Sequence, residues 1–340
     1  MKRIIFSLLA GLMIVALAAS LDAQAPQAPK KLTLAMAVTP PNLVHIPPYL
    51  AKDLGYFKEE GLDVEIVSFE GGVGSLRTVM AGSIDLALTS GDPPILARVQ
   101  GAQLKMVYST SPRLEAVMTV QGSIKEVKDL KGKTLGIQEP NGFADLFSRR
   151  LLARAGIKPD EVQFISTSTA GRVPALVTGQ VDTGVLHVEQ AIRAIKRNPN
   201  LRNLANFWEM FPDAFYNVIV AQEKTIKEKP DVLEAFIRAV IKANRYIYKN
   251  KKGALDAAAE ITGYGIEELE AAYDQLIKGR VWSVNDGLPK KSVEFTVDNL
   301  VRFGRIPADK KPAYEQLVDL SLANKVLEKL GRWTDDPMYQ

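Results

Sequence analysis

Serine, threonine, asparagine and glycine recur wherever the apolar runs of this 340-residue chain end, and in those places they suit hydrogen bonding to a small anion. The first run ends in TPPNLVHIPPY, which supplies Thr39, Asn42, His45 and Tyr49, and the second in EGGVGS, with Gly72, Gly74 and Ser75. A third ends in TSGDPP, supplying Thr89, Ser90 and Asp92, and a fourth runs into STSPR from Ser109. Further along, EPNGF contributes Asn141, Gly142 and Phe143, STSTAGR contributes Thr167, Ser168 and Arg172, and LHVEQ contributes His187 and Glu189. Free amides at helix starts hold anions without covalent chemistry. A dipole contribution of about 0.3–1 kcal/mol, with two or three charge-assisted hydrogen bonds of about 1.5–3 kcal/mol each, reaches the roughly 8 kcal/mol of micromolar binding. Taken singly, each Ser or Thr is an ordinary helix cap. Asp92 and Glu189 complicate a purely anionic ligand, and Arg113, Arg172 or a ligand amine are their expected partners.

These residues form a site only if strands bring their ends together. Apolar runs at 32–38, 64–69, 84–89, 104–109, 134–138, 162–166 and 181–186 alternate with helical patterns, the signature of parallel strands joined by helices. Helices are expected at 47–54, 74–81 and 143–155, each stopped by a glycine: Gly55, Gly82 and Gly156. In an open α/β sheet, ligands bind beyond the carboxyl ends of the strands, where the residues above fall.

The pattern is written twice. VEIVS at Val64 is echoed by VQFIS at Val162, MAGSID at Met80 by VTGQVD at Val177, and VTPPN at Val38 by IQEPN at Ile137, at offsets of 97 to 99 residues. Two similar α/β lobes follow. From Pro230 onward the periodicity is helical only. Strands at 115–120 and 213–222 carry the chain between lobes, so residues 31–113 and 222–340 are expected to form one lobe and 114–221 the other. The hinges fall at 112–115 and 212–217, and the aromatics there, Trp208, Phe211, Phe215 and Tyr216, read as hinge packing or as a stacking surface for a ring.

Other chemistries are poorly supported. The chain has no cysteine, so disulfides, thiolate metal sites and cysteine nucleophiles are excluded. With two histidines and no HExxH, no metal and no cofactor are expected. GKT at Gly132 has Val127 where a phosphate loop needs glycine, GVGSLR is one glycine short of a dinucleotide fingerprint, and no G-x-S-x-G elbow occurs. A net charge of +4, spread among acidic residues, does not argue for nucleic acid. Residues 1–23 read as an export signal: Lys2 and Arg3, an apolar run, then small residues.

Several stretches together resemble a known family. PPYLAKDLGYFKEEGLDVEIV, SLRTVMAGSIDLAL, GAQLKMV, DLKGKTLGIQEPNG, LVTGQVD and VLEAFIRAVIKANRYI are similar to the periplasmic substrate-binding proteins of ABC importers. The closest branch is the NMT1/THI5-like one, which handles sulfonates, taurine, nitrate and thiamine pyrimidines. The resemblance spans residues 31–330 and implies a two-lobed, type II clamshell without enzymatic activity. Such a receptor works in the periplasm as a monomer, closing on a small organic anion, a sulfonate or carboxylate, and passing it to a membrane permease with a cytoplasmic ATPase. A pyrimidine-type thiamine precursor is the alternative cargo, although TPPN lacks the tryptophan of pyrimidine binders, and the cysteine-rich motif of the related pyrimidine synthases is absent. A lyase or dehydratase on the same fold, with His45 or Asp92 as base, and a receptor for a sensor kinase are the remaining alternatives.

Overall fold

The computed structural model describes residues 28–334, and the expected export signal lies outside them. Ten strands form two five-stranded sheets. The first contains β1 (Lys30–Met36), β2 (Leu62–Ser68), β3 (Leu86–Ser90) and β4 (Leu104–Ser111). The second contains β5 (Val117–Gln121), β6 (Thr134–Ile137), β7 (Gln163–Ser166), β8 (Thr183–Leu186) and β9 (Leu201–Asn206). β10 (Asn217–Gln222) returns to the first sheet, giving orders β2-β1-β3-β10-β4 and β7-β6-β8-β5-β9. The strand that follows each crossing inserts antiparallel among otherwise parallel neighbours: β5 between β8 and β9, and β10 between β3 and β4. Two lobes of one plan result, each completed by chain that has just left the other. Because β10 pairs with β3 from Asn217, the return to the first lobe comes before residue 217, earlier than the expected boundary at 222.

Local chemistry accounts for the elements. β3, LALTS, is buried at every position, as a parallel strand covered on both faces must be. Gly55, at φ 77°, takes the left-handed turn that ends helix Pro47–Asp53 and starts Tyr56–Glu59. The expected helices appear as Pro47–Asp53, Gly72–Met80 and Phe143–Arg154. β9 was not expected: LRNLAN buries only Leu201 fully and lacks an apolar alternation, because it is an edge strand held by pairing to β5. Helix Pro230–Lys249 buries Phe236, Ile237, Val240, Ile241 and Ile247 in the main apolar cluster. Its Asn244 donates Nδ2 to Tyr108 Oη at 2.8 Å and to the Ser283 carbonyl at 2.7 Å, tying the helical region to β4.

The internal echo has a structural counterpart. Thr33 donates its N–H and its hydroxyl to Asp85 Oδ2, both at 3.0 Å, and accepts the Asp85 N–H at 2.9 Å. Thr134 and Asp182 repeat the three bonds at 2.9, 2.9 and 2.8 Å. Each clasp ties one strand, β1 or β6, to the turn before its parallel neighbour in the sheet, β3 or β8. Burial alone would raise the Asp85 carboxyl, but the Lys229 ammonium at 2.6 Å and the Thr33 bonds outweigh it and hold it below 3.8. That contribution is present at neutral pH and is lost as pH falls through the lowered value. Asp182→Ala leaves the Thr134 N–H without its carboxylate and should cost about 1–3 kcal/mol. Urea unfolding checks this, with Asp182→Asn recovering part of the loss; an unchanged midpoint would remove the clasp from the stability argument.

Candidate functional site

The carboxyl ends of the strands face each other across the lobes, and the seam between them is closed by carboxylates. Glu70, after β2, accepts the N–H of Thr169 at 3.1 Å, while Glu139, after β6, accepts the N–H of Val73 at 2.8 Å. Glu189 Oε1 accepts the N–H of Leu43 at 3.2 Å, and Asp92 is gripped by both guanidinium nitrogens of Arg150. Each lobe thus offers two acidic groups to backbone amides or a cation of the other. Gly71 makes room for this approach, and Gly72 for the packing of its helix on β3 within the same lobe. A Cβ at Gly71 would lie 2.2 Å from Glu139 Oε1, and one at Gly72 would lie 2.3 Å from Thr89 Oγ1.

Behind the seam lies a buried polar cluster. His45, ending the turn Leu43–His45, is 1 % exposed; its ring sits 5.3 Å from His187 and 5.9 Å from Tyr216. His187 gives Nδ1 to Glu115, whose second oxygen accepts the Val188 N–H at 3.3 Å, and its Nε2 lies 3.5 Å from Tyr216 Oη. Arg172, opening helix Arg172–Val177, spends Nε and Nη1 on the carbonyls of Thr169 and Val185, each at 3.4 Å. Burial lowers its guanidinium, opposed by Tyr216, Tyr264, Glu189 and Glu115, and an arginine stays a cation in proteins. Burial raises the Glu189 carboxyl, with Glu115 adding to the rise and His187 opposing it. Burial, then Glu115, push the Tyr216 phenol well above 10.

Several buried polar atoms here have no hydrogen-bond partner: Asn42 Oδ1, His45 Nδ1, Thr89 Oγ1, Asn217 Nδ2, Arg172 Nη2 and Glu189 Oε2. Buried polar groups are normally paired, because leaving one unpaired costs about 1–3 kcal/mol. Both lobes contribute to this set. It adjoins a cavity lined by His45, Gly72, Ser90, Glu139, Phe143 and Tyr216, among others, of only about 20 Å³. A molecule of several heavy atoms enters only if the lobes part.

Asn42, His45, Thr89, Arg172, His187 and Glu189 therefore sit in or beside the cluster, and Gly72, Ser90, Gly142 and Phe143 line the cavity. The remaining expected residues are engaged elsewhere or stand apart from that lining. Tyr49 Oη pairs with Ser68 Oγ at 3.1 Å, Ser75 Oγ donates to the Gly72 carbonyl, and Ser109 Oγ donates to the Asn217 carbonyl. Thr167 Oγ1 bonds the Ile137 carbonyl, Ser168 Oγ accepts the Gly171 N–H, and Asn141 takes Arg305 on its side chain. Thr39 is half-buried in the loop, and Gly74 has no atom near its Cβ position. The partner of Asp92 is Arg150, not Arg113, Arg172 or a ligand amine, and the bonded partner of Glu189 is a backbone amide. Glu115, Tyr216 and Asn217, read as hinge residues, also form part of the cluster, since a crossing that joins two lobes floors the cleft between them. Glu139 and Arg150 carried no local signal. Among the described residues, no group of three or more acidic or histidine side chains is arranged to hold a metal ion.

The family model for NMT1/THI5-like proteins matches residues 42–254, well over half of the chain. The chain belongs to the NMT1/THI5-like family. A Brucella abortus relative named as a binding protein, without a stated ligand, is 26% identical over 277 residues, covering 78% of this chain and 84% of its own length. The formylaminopyrimidine-binding protein of Halalkalibacterium halodurans is 26% identical over 230 residues, 64% of this chain and 66% of that protein. The fold matches the alkanesulfonate-binding protein SsuA of Xanthomonas axonopodis pv. citri, solved bound to MOPS, at a TM-score of 0.68 and 18% identity, over 88% of this chain and 98% of that one. The two-lobed architecture is therefore that of the periplasmic binding proteins.

In this member of the family, His45 is held neutral. Burial first, then His187 and Arg172, lower it well below its ordinary 6.5, and Asn217 opposes them only partly. The unfolded chain therefore binds a proton below about pH 6.5 that the folded chain refuses, so stability falls as pH drops through that window. Glu189, with a raised carboxyl, takes a proton sooner when folded and acts in the opposite sense at lower pH. Urea titrations of wild type and His45→Gln from about pH 7.5 to 5.5 isolate the histidine. The wild type should lose stability more steeply, and parallel slopes would show that His45 is not the group responsible.

Proposed function

We propose that this chain is the extracytoplasmic solute receptor of an ABC importer, which captures a small organic anion between its lobes and delivers it to a membrane permease. The observation that carries this reading is the set of unpartnered buried polar atoms, supplied by both lobes, beside one small cavity. Such atoms are costly in the free protein, and a ligand that satisfies them is bound in preference to water. Arg172 Nη2 is the natural contact for a carboxylate or sulfonate oxygen, with Thr89 Oγ1 and Asn217 Nδ2 as neutral donors. Phe143 and Tyr216, 4.5 Å apart between ring centres, offer an aromatic wall. The lobes pivot on the crossings at 112–116 and 207–216, and a ligand touching both favours the closed arrangement. Among the described residues, no helix is long and apolar enough to cross a membrane, in keeping with a receptor that works beside a membrane-bound partner.

One observation favours a second cargo. Asn42 Oδ1 and Glu189 Oε2 are acceptors, which an anion cannot satisfy and an amino-substituted heterocycle can. The formylaminopyrimidine-binding relative gives that reading a precedent.

Thermal-shift screening of sulfonates, carboxylates and aminopyrimidines separates the two, since a ligand at about 100 times its Kd stabilises the folded state by about 2.7 kcal/mol. An anion should raise the midpoint, and Arg172→Ala should weaken it by about ten- to a hundredfold, the loss of one charge-assisted bond. No stabilisation by any of these classes would sink the receptor reading. Stabilisation by an aminopyrimidine alone, sensitive to Glu189→Gln, would select the second cargo.

A further inference from the structure

A second hollow lies behind the cleft, on the hinge side, and none of the chemistry above uses it. It has a volume of about 470 Å³, within the roughly 300–1,000 Å³ usual for small-molecule sites. Both crossings line it, Arg113 to Glu115 from the first and Trp208 to Pro212 from the second, and the end of helix Ile266–Lys278 closes it. Its floor is apolar, built from the buried Leu114, Val188, Phe211 and Leu276, and Trp208 stands half-buried at one side. A neighbouring hollow of about 440 Å³ shares Trp208 and Gln275, so the indole separates two accessible spaces.

The charges at its mouth are unequal. Arg113 has one hydrogen bond among the described residues, a long one of 3.5 Å to the Gly279 carbonyl, which leaves most of its five donors unspent. Lys278 adds an exposed cation. Of the two carboxylates, Glu115 is turned inward to His187 and the Val188 N–H, and the exposed Glu209 accepts Asn206 Nδ2 at 3.1 Å. An apolar floor, an aromatic side and two cations with little to hold call for a flat apolar body carrying one negative group.

We propose that this hollow is a second ligand site, for a small aromatic carboxylate lying against Trp208 with its anionic group toward Arg113 and Lys278. Because both crossings form its walls, an occupant fits one disposition of the lobes better than another and shifts their equilibrium. Glu115 is the shared wall: it borders the hollow and holds His187 in the cleft cluster.

The test is titration of the full protein with 1-naphthoate by isothermal calorimetry. Saturable binding is expected, falling at least tenfold in Arg113→Gln and in Trp208→Leu and persisting in Arg172→Ala, which alters the cleft. Lys278→Glu, at an exposed position, should weaken binding as well and decides the matter if the other two variants fail to fold. Absence of saturable binding, or binding insensitive to Lys278→Glu, overturns the proposal. Binding lost in Arg172→Ala also overturns it, because the anion then lies in the cleft; the cleft reading stands or falls separately on its own ligand screen.

Discussion

Charge burial between the lobes is the constraint on which the rest of the structure depends. A carboxylate leaves water only if the protein supplies partners of comparable quality. The buried Asp92 and Glu189 and the half-buried Glu139 each find that partner in the opposite lobe, the guanidinium of Arg150 and the amides of Leu43 and Val73, while the exposed Glu70 takes the amide of Thr169 at the rim. None of these pairings survives separation of the lobes, and water compensates each of them when the lobes part. On the receptor reading proposed above, closure exchanges hydrogen bonds to water for hydrogen bonds across the seam. This balance is what a clamshell needs if a modest ligand is to decide its state.

The surrounding architecture holds that balance in register. The threonine–aspartate clasps tie β1 and β6 to the turns before β3 and β8, and the inserted strands β5 and β10 bind each sheet to the chain just returned from the other lobe. Helix Pro230–Lys249 packs its apolar face into the main cluster, and Asn244 and Arg245 reach back to the carbonyls of Ser283 and Val284. Apolar packing fills each lobe, and the main cluster runs from one lobe into the other beside the polar contacts of the seam.

Much of the fold was legible in the chain because its signals are local. Alternating apolar runs, glycine stops and the echo at 97 to 99 residues depend on neighbours within one element or one repeat, and they located nine of the ten strands to within a few residues. β9 escaped because an edge strand of polar residues takes its conformation from pairing to β5 and not from its own pattern. The site was legible only in part. Strand-end reasoning named His45, Thr89, Arg172, His187 and Glu189, which the fold gathers in or beside the buried cluster, and also Ser75 and Ser109, whose hydroxyls serve backbone carbonyls. Asp92 and Arg150 are 58 residues apart, and Glu115 and His187 are 72 apart. The first pair exists only once the two lobes have met and the second only once β5 has paired with β8, and no periodicity encodes either.

Gly71 illustrates how closing can be separated from folding. Its backbone is extended, at φ −172°, a conformation open to any residue, so what bars a side chain at 71 is space and not backbone strain. The atom it would strike is the carboxylate of Glu139, in the other lobe. The absence of a side chain at this position therefore serves the meeting of the lobes and not the turn in which it lies: a larger residue would stand where the Glu139 carboxylate reaches the Val73 amide.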